Sequence, residues 1–276
     1  MAVPAKVAQR MTTCLKRFQP ILSSAKARDC NESDTVVIVT DLLSELFGHD
    51  KYSAITSEHA IRGTFCDLAI RVAATIRMIV EVKAIGTDFR DAHVKQAVDY
   101  AANQGVEWVV LTNGARWRIY RVTFGKPIDC RQVAEIDLLE VRPTDTSSLE
   151  LLYLLTREGL ERNALDEYVR YHEATSRHVV AAILLSDEVL KCIRRELRRV
   201  NPDIKMDTEE LRDKLLLEVL RRETTEGEEA DQARRTVSKA QGRGLKRPRR
   251  RKTTQAPAEE EAEDAGEEAA PDLANE

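Results

Sequence analysis

Two short runs decide how this chain folds: Phe65-Cys66-Asp67-Leu68-Ala69-Ile70 and Ile79-Val80-Glu81-Val82-Lys83-Ala84. Between Tyr52 and Ala84 apolar residues recur with a period of two, which predicts three strands at about 52–57, 65–72 and 76–84. In the third, Met78, Val80 and Val82 share one face, while Ile79, Glu81 and Lys83 share the other. A strand that is otherwise apolar is thus interrupted by charge on one face only.

Outward from these runs the period changes. Residues 88–103 return to helical spacing, with Val94, Ala97, Val98 and Ala101 as a packing stripe. Phe89, His93, Gln96 and Tyr100 form a second stripe, expected to face solvent or a ligand. Residues 107–123 read as a hairpin around Asn113-Gly114, a pair that tolerates the positive φ of a tight turn. A strand near 132–138 completes an α/β unit.

Upstream, 5–27 reads as a weak helix interrupted at Pro20. Val36, Val39, Leu43 and Leu46 then recur at helical spacing from a cap within Asn31–Asp34 to a stop at Gly48. After Pro143 the pattern is wholly helical, near 148–157, 160–173, 175–200 and 207–223. The predicted organisation is a helical segment at 1–31, an α/β domain at 32–142, a helical region at 147–223 and a disordered charged tail at 224–276.

The chemistry follows from Asp67 and Glu81. If their strands pair, two carboxylates converge, and the backbone carbonyl of Val82 offers a third oxygen. Alone, two close carboxylates repel and one tends to take up a proton. A divalent cation removes that penalty, and hard oxygen ligands suit Mg²⁺ or Mn²⁺. Lys83, on the Glu81 face, would orient an attacking water and stabilise developing charge. Gln96 and Tyr100, one helical turn apart, could reach a phosphate or base beside the ion. The set suits metal-assisted cleavage of a phosphodiester.

The series of Asp67, Glu81-Val82-Lys83, Gln96-Ala-Val-Asp-Tyr100, Trp108-Val-Val-Leu-Thr-Asn-Gly and Trp117-Arg-Ile-Tyr120 resembles one known module over residues 32–140. It is similar to the nuclease domain at the N-terminus of type I restriction enzyme R subunits, within the PD-(D/E)xK superfamily. The resemblance implies a restriction-endonuclease-like mixed sheet flanked by helices. It also implies Mg²⁺ on Asp67 and Glu81, Lys83 as the catalytic lysine, and Gln96 with Tyr100 as the accessory Q-x-x-x-Y pair. The family often adds an acid from the preceding helix, for which Glu45 is the best placed in sequence. The expected activity is Mg²⁺-dependent hydrolysis of DNA leaving a 5′-phosphate; the alternative is a DNA-binding or adaptor protein that keeps the fold without cutting. Two departures stand out. The proline that often precedes the first acid is absent, and no G-x-x-x-x-G-K-[ST] occurs, so the expectation is a nuclease unit without its ATP-driven motor. Expected partners are DNA and either a second copy or a separate motor or specificity subunit.

Composition narrows the setting. The 276 residues carry 42% hydrophobic residues and a net charge of -4. That charge conceals opposed blocks: residues 243–252 hold seven Lys or Arg and no acid, whereas 258–276 hold nine acids and no base. Five cysteines without a C-x-x-C pair argue against a disulfide framework or structural zinc. No signal peptide or membrane span is legible, and a cytoplasmic protein is expected. On the helix near 190–200, Lys191, Arg194, Arg195, Arg198 and Arg199 form a basic face that either tracks DNA phosphates or pairs with neighbouring glutamates.

Overall fold

A computed structural model describes residues 2–61 and 64–244, of which 58–61, 64, 65, 243 and 244 are described by backbone alone. The chain divides into two units, one ending at Ser176 and the other beginning at Arg177.

The first unit is built on a six-stranded mixed sheet: β1 (Ile55–Ile61), β2 (Thr64–Val72), β3 (Thr75–Val82), β4 (Trp108–Thr112), β5 (Arg116–Thr123) and β6 (Asp129–Asp137), in that spatial order. Every neighbouring pair is antiparallel except β3 with β4, which are parallel because α3 (Asp91–Gln104) crosses over between them. The expected α/β class and mixed sheet are therefore borne out, with strand ends displaced by at most four residues.

Alternation along the strands separates two apolar clusters. Leu68, Ile70, Met78, Val80, Val82, Val110 and Trp117 point towards α1 (Ala5–Ala27) and α2 (Glu32–Asp41). Ala69, Ile79, Val109 and Leu111 pack with Ala97, Val98, Tyr100 and Ala101 of α3. The two faces of β3 divide as its sequence indicates, with Ile79 on the α3 side and Met78, Val80 and Val82 opposite.

The first helix runs through Pro20 without interruption. A proline inside a helix costs about 3 kcal/mol. Here Met11, Leu15, Phe18, Leu22 and Ala25, spaced by three or four residues and each 3% exposed or less, bury a stripe on both sides of it that offsets the loss. The second helix passes into a π-helical turn at Leu42–Leu46, which brings Leu42, Leu43, Leu46 and Phe47 into the same cluster. Phe47 meets the Trp117 ring edge to face at 5.1 Å.

Residues 146–174 belong to this unit as well, so the chain divides after Ser176 instead of near 143–147. The reason is packing. Helices α4 (Thr146–Tyr153), α5 (Arg157–Glu161) and α6 (Ala164–Ala174), with the turn between the first two, contribute Leu152, Leu154, Leu155, Leu160, Leu165 and Val169 to the core that α1 and the sheet share. An ionic clamp ties them down: Arg10 donates from both terminal nitrogens to Glu158 at 2.8 Å, and further to the carbonyls of Leu46 and Phe47 at 3.3 Å each. The guanidinium holds the Glu158 carboxyl down to about 2. Beside the clamp, buried His49 donates from Nε2 to the Leu155 carbonyl at 2.9 Å, and burial pushes its pKa down to about 4.

Every element among the second unit's described residues is helical: α7 (Arg177–Leu184), α8 (Asp187–Val200), α9 (Thr208–Lys214), a π-helical turn at Leu215–Val219, α10 (Arg222–Thr225) and α11 (Glu228–Gly244). The last of these occupies sequence expected to be tail. Its alanines favour helix, Ala230, Ala233 and Val237 are buried, and the Glu229 carboxylate lies 2.8 Å from His178 Nε2 of α7. The expected disorder beyond residue 244 lies outside the described residues. No helix among the described residues is long and apolar enough to cross a membrane.

Gly48 tests the clamp. Its φ is +78°, and a Cβ there would stand 2.6 Å from the Arg10 guanidinium carbon. Gly48→Ala should lower unfolding free energy by about 2–4 kcal/mol in urea denaturation, from left-handed strain plus displacement of the clamp. A loss under about 0.5 kcal/mol would contradict this reading, being no more than an ordinary surface change.

Candidate metal centre

The site lies where the sheet changes from antiparallel to parallel pairing. Leu68 pairs with Val80, so continuing that register brings Asp67 opposite Glu81. Asp67 reaches across the strand end, and its Oδ2 accepts the Val82 backbone N–H at 2.7 Å. On the other side Lys83 N donates to the Thr112 carbonyl at 2.8 Å, extending the β3–β4 pairing by one residue. Asp67 is thus fixed by a bond to the β3 backbone and Glu81 by its place in the β3–β4 ladder, instead of by loop contacts.

Glu81 is the unusual residue. Its side chain is 1% exposed, and its Oε1 accepts from Lys83 Nζ at 2.8 Å. Burial raises its pKa to about 7; Lys83 opposes the shift, while Asp67 and then Glu32 add to it. For Lys83, burial works to lower the pKa, but Glu81, followed by Glu32 and Asp67, outweighs it and the net shift is upward. The lysine stays an ammonium, and 13% of its side chain reaches solvent.

A residue that sequence reasoning missed completes the cluster. Glu32 Oε1 lies 3.6 Å from Lys83 Nζ. Glu32 opens α2 directly after Asn31, whose side chain caps the helix by accepting from Asp34 N at 2.9 Å. The one sequence signal is an acid in the first turn behind a capping Asn, a pattern that ordinarily reports only on the helix dipole. Asn113 reads from sequence as a turn residue, and Gly114 does hold a φ of +83°. The Asn113 side chain also anchors the loop that leaves Lys83, with Nδ2 donating to the carbonyls of Ile85 and Thr87 at 3.1 and 3.2 Å.

The other sequence-predicted residues fall elsewhere. Glu45 sits in the π-helical turn and pairs with Arg17 of α1, while its carbonyl accepts from Cys14 Sγ at 3.3 Å. Gln96 is exposed, but Tyr100 is only 2% exposed and packs in the cluster beneath β2. The pair therefore does not form one open stripe, because the packing face of α3 extends from Ala97 and Ala101 round to Tyr100. Burial, then the Cys66 thiol, raises the Tyr100 pKa. His93 caps α3, its Nδ1 accepting from Arg90 N at 3.4 Å. In the second unit, Lys191 pairs with Glu188, Arg195 and Arg199 pair with Glu196, and Arg194 donates to the Met206 carbonyl at 2.9 Å. Most of the basic face of α8 is thus engaged locally, through exposed pairs that contribute little stability.

The donors fit a hard divalent ion. A buried carboxyl pushed towards its protonated form by burial and by a neighbouring carboxylate is relieved by a cation. Among the described residues no group of three or more His, Cys, Asp or Glu is placed to hold a metal. The protein's share would then be two carboxylates and the Val82 carbonyl, consistent with Mg²⁺, which usually keeps several waters.

A pH measurement reads the strain on Glu81 directly. Its folded pKa of about 7 stands above the ordinary 4.5, so its contribution to stability is full below about pH 4.5 and lost as pH rises through about 7. In EDTA, the stability of Glu81→Gln relative to wild type should rise by about 2–3 kcal/mol between pH 4.5 and 8. A flat difference across that window would contradict the burial of this charge.

Residues 51–136, from the lead into β1 almost to the end of β6, match the family described as type I restriction enzyme R protein N terminus. No curated protein and no solved structure matches the chain. The matched stretch holds Asp67, Glu81, Val82, Lys83, Gln96 and Tyr100, while Glu32 and Glu45 precede it. Over residues 51–136 the chain therefore resembles the N-terminal domain of type I restriction enzyme R proteins, the family to which its strand and helix motifs pointed.

Proposed function

We propose that this protein is a Mg²⁺-dependent deoxyribonuclease that hydrolyses DNA phosphodiester bonds by direct attack of water. The observation that carries this reading is the buried Glu81 carboxylate, in contact with the Lys83 ammonium and set opposite Asp67 at the end of β3. Restriction-enzyme kinship over residues 51–136 supports a nuclease of the same broad class.

In this reading Asp67, Glu81 and the Val82 carbonyl would hold the ion, which when bound would supply an activated water and neutralise charge on the scissile phosphate. Lys83 orients the attacking water and stabilises the developing negative charge through its ammonium, which the surrounding acids keep protonated. Glu81, as a carboxylate, would serve as one of the ion's ligands at neutral pH. Tyr100 supports β2 from beneath through Cys66, one residue before Asp67, and so acts by position; Gln96, exposed on the same helix, is the member of that pair able to reach DNA. Glu45 then serves to tie α2 to α1 through Arg17. The basic face of α8 supplies nonspecific phosphate contacts when DNA displaces its local glutamates. Partners in this reading are DNA and a separate motor or specificity subunit, or a second copy, within the cytoplasm.

A second reading, a DNA-binding adaptor that retains the fold, draws on the two-carboxylate donor set, which is sparse for a metal centre. Incubation of the purified protein with linear and supercoiled DNA, in Mg²⁺ or in EDTA, alone and with a type I motor and specificity subunit, separates the two. The nuclease reading expects cleavage in Mg²⁺ only, lowered at least about 100-fold by Lys83→Ala. DNA binding with no cutting under any of these conditions favours the adaptor, and cutting that survives EDTA or Lys83→Ala overturns the proposed chemistry.

A further inference from the structure

One rung of the sheet carries ionisable side chains on either side of a buried leucine. Glu81 of β3 pairs with Leu111 of β4, Leu111 with Arg118 of β5, and Arg118 with Glu135 of β6. Residues paired in register project to the same face, and Leu111 packs with α3, so all four lie on the α3 side. Two strand spacings separate Glu81 from Arg118 by roughly 10 Å across the sheet, about three nucleotide steps along a DNA strand. Arg116, two residues earlier on β5, shares that face.

The two arginines converge on one carboxylate. Arg118 Nε donates to Glu135 Oε2 at 3.0 Å, Arg116 Nε lies 3.4 Å from Glu135 Oε1, and Gln132 Nε2 donates to Oε2 at 3.3 Å. Asp137, which faces Arg116 across the strands, accepts instead from the Leu139 N–H at 2.9 Å. Three donors gathered on a single oxyanion are what a phosphate would meet there, and the arginine fork matches phosphate oxygens as well as carboxylate ones. The Arg116 and Glu135 side chains are 37% and 36% exposed, so the carboxylate is held weakly and is open to displacement.

The pair is also fixed relative to Lys83. The Arg118 guanidinium lies over the Phe89 ring at 5.2 Å, and Arg116 N donates to Asn113 Oδ1 at 2.8 Å. Phe89, and the Ile85 and Thr87 carbonyls that Asn113 binds, all belong to the loop that runs from Lys83 to α3. The two arginines therefore brace the loop that begins at the lysine.

We infer that Arg116 and Arg118 form a phosphate-binding site for the DNA strand beside the scissile bond, with Glu135 as the internal anion that a DNA phosphate displaces. The inference rests on the reading above, in which DNA enters at the end of β3. Recognition here is of backbone charge and is independent of base sequence.

Equilibrium binding of a labelled DNA duplex to the full chain, in EDTA and again in CaCl₂ over a range of NaCl concentrations, tests this apart from cleavage. Arg116→Ala and Arg118→Ala should each weaken binding about tenfold at low salt, alike for unrelated sequences, and reduce the slope of log affinity against log salt by about one. Arg118→Lys should keep the slope, since its charge remains, yet bind about threefold more weakly for want of the fork. Glu135→Gln should bind at least about threefold more tightly, because no internal anion then has to be displaced, a gain that misfolding cannot mimic. Inorganic phosphate added at constant ionic strength should leave binding unchanged; displacement of DNA by it would assign the pair to a free anion and overturn the inference. A wild type that binds no DNA, affinity and slope unaltered in both alanine variants, or a Glu135→Gln that binds no more tightly would each overturn it as well. Cleavage in Mg²⁺ by the same proteins separates this from the reading beneath it. If wild type cuts while Arg118→Ala and Arg116→Ala bind normally, only the phosphate site falls; if binding responds as expected but nothing is cut in Mg²⁺, even beside a motor and specificity subunit, only the nuclease reading falls.

Discussion

A carboxylate buried to 1% exposure is the constraint around which the first unit is organised. Glu81 stands on β3, which pairs antiparallel with β2 on one side and parallel with β4 on the other. An isolated charge there would be prohibitive, so the neighbourhood is built to share it. Lys83 lies two residues on, on the same face of the strand; Asp67 is brought opposite by register and tied to the Val82 N–H; Asn113 holds the loop beyond. None of these contacts maximises stability. A hydrophobic residue at position 81 would continue the apolar run of β3 and pack with Ile79 against α3. The chain instead places an ionisable pair there, and burial pushes the pKa of the acid to about 7, the kind of perturbation that clusters at functional sites.

Much of this was legible in the sequence because strands alternate. The period of two in 76–84 placed Glu81 and Lys83 on one face, and Asn113-Gly114 located the turn that follows β4. Features that depend on contacts distant in sequence leave no such periodicity. Glu32 precedes Lys83 by 51 positions, and only the packing of α2 on the sheet brings them together. Glu45 had the better sequence position, yet Arg17 claims it. Tyr100 looked amphipathic by helical spacing, but the apolar floor provided by Cys66, Ala69 and Ile79 widens the buried face of α3 enough to include it. Pro20 marks a break only for an isolated helix; the buried stripe on both sides overrides it. Likewise the low aliphatic content after Thr224 hid a helix that needs only alanines, one valine and a few polar anchors.

The extent of the family resemblance has a structural counterpart. Residues 51–136 contain all but the last residue of the sheet and its crossover helix, so Asp67, Glu81, Lys83 and the strand register around them lie within the matched stretch. Yet one entire layer over that sheet comes from outside it: α1, α2 and the helices of 146–174 fill the larger apolar cluster, and Arg10 with Glu158 clamps its ends. The matched stretch alone would leave Leu68, Met78, Val80 and Trp117 without their partners. The electrostatics of the site depend on the same covering layer, since Glu32 is carried by α2.

The most direct measurement is anomalous diffraction from crystals of the full chain grown with Mn²⁺. One manganese peak per chain is expected, in contact with the carboxylates of Asp67 and Glu81 and with the Val82 carbonyl, beside the Lys83 ammonium. Manganese absent from that position under saturating conditions, with Glu81 still held by Lys83, would contradict a metal centre at the end of β3.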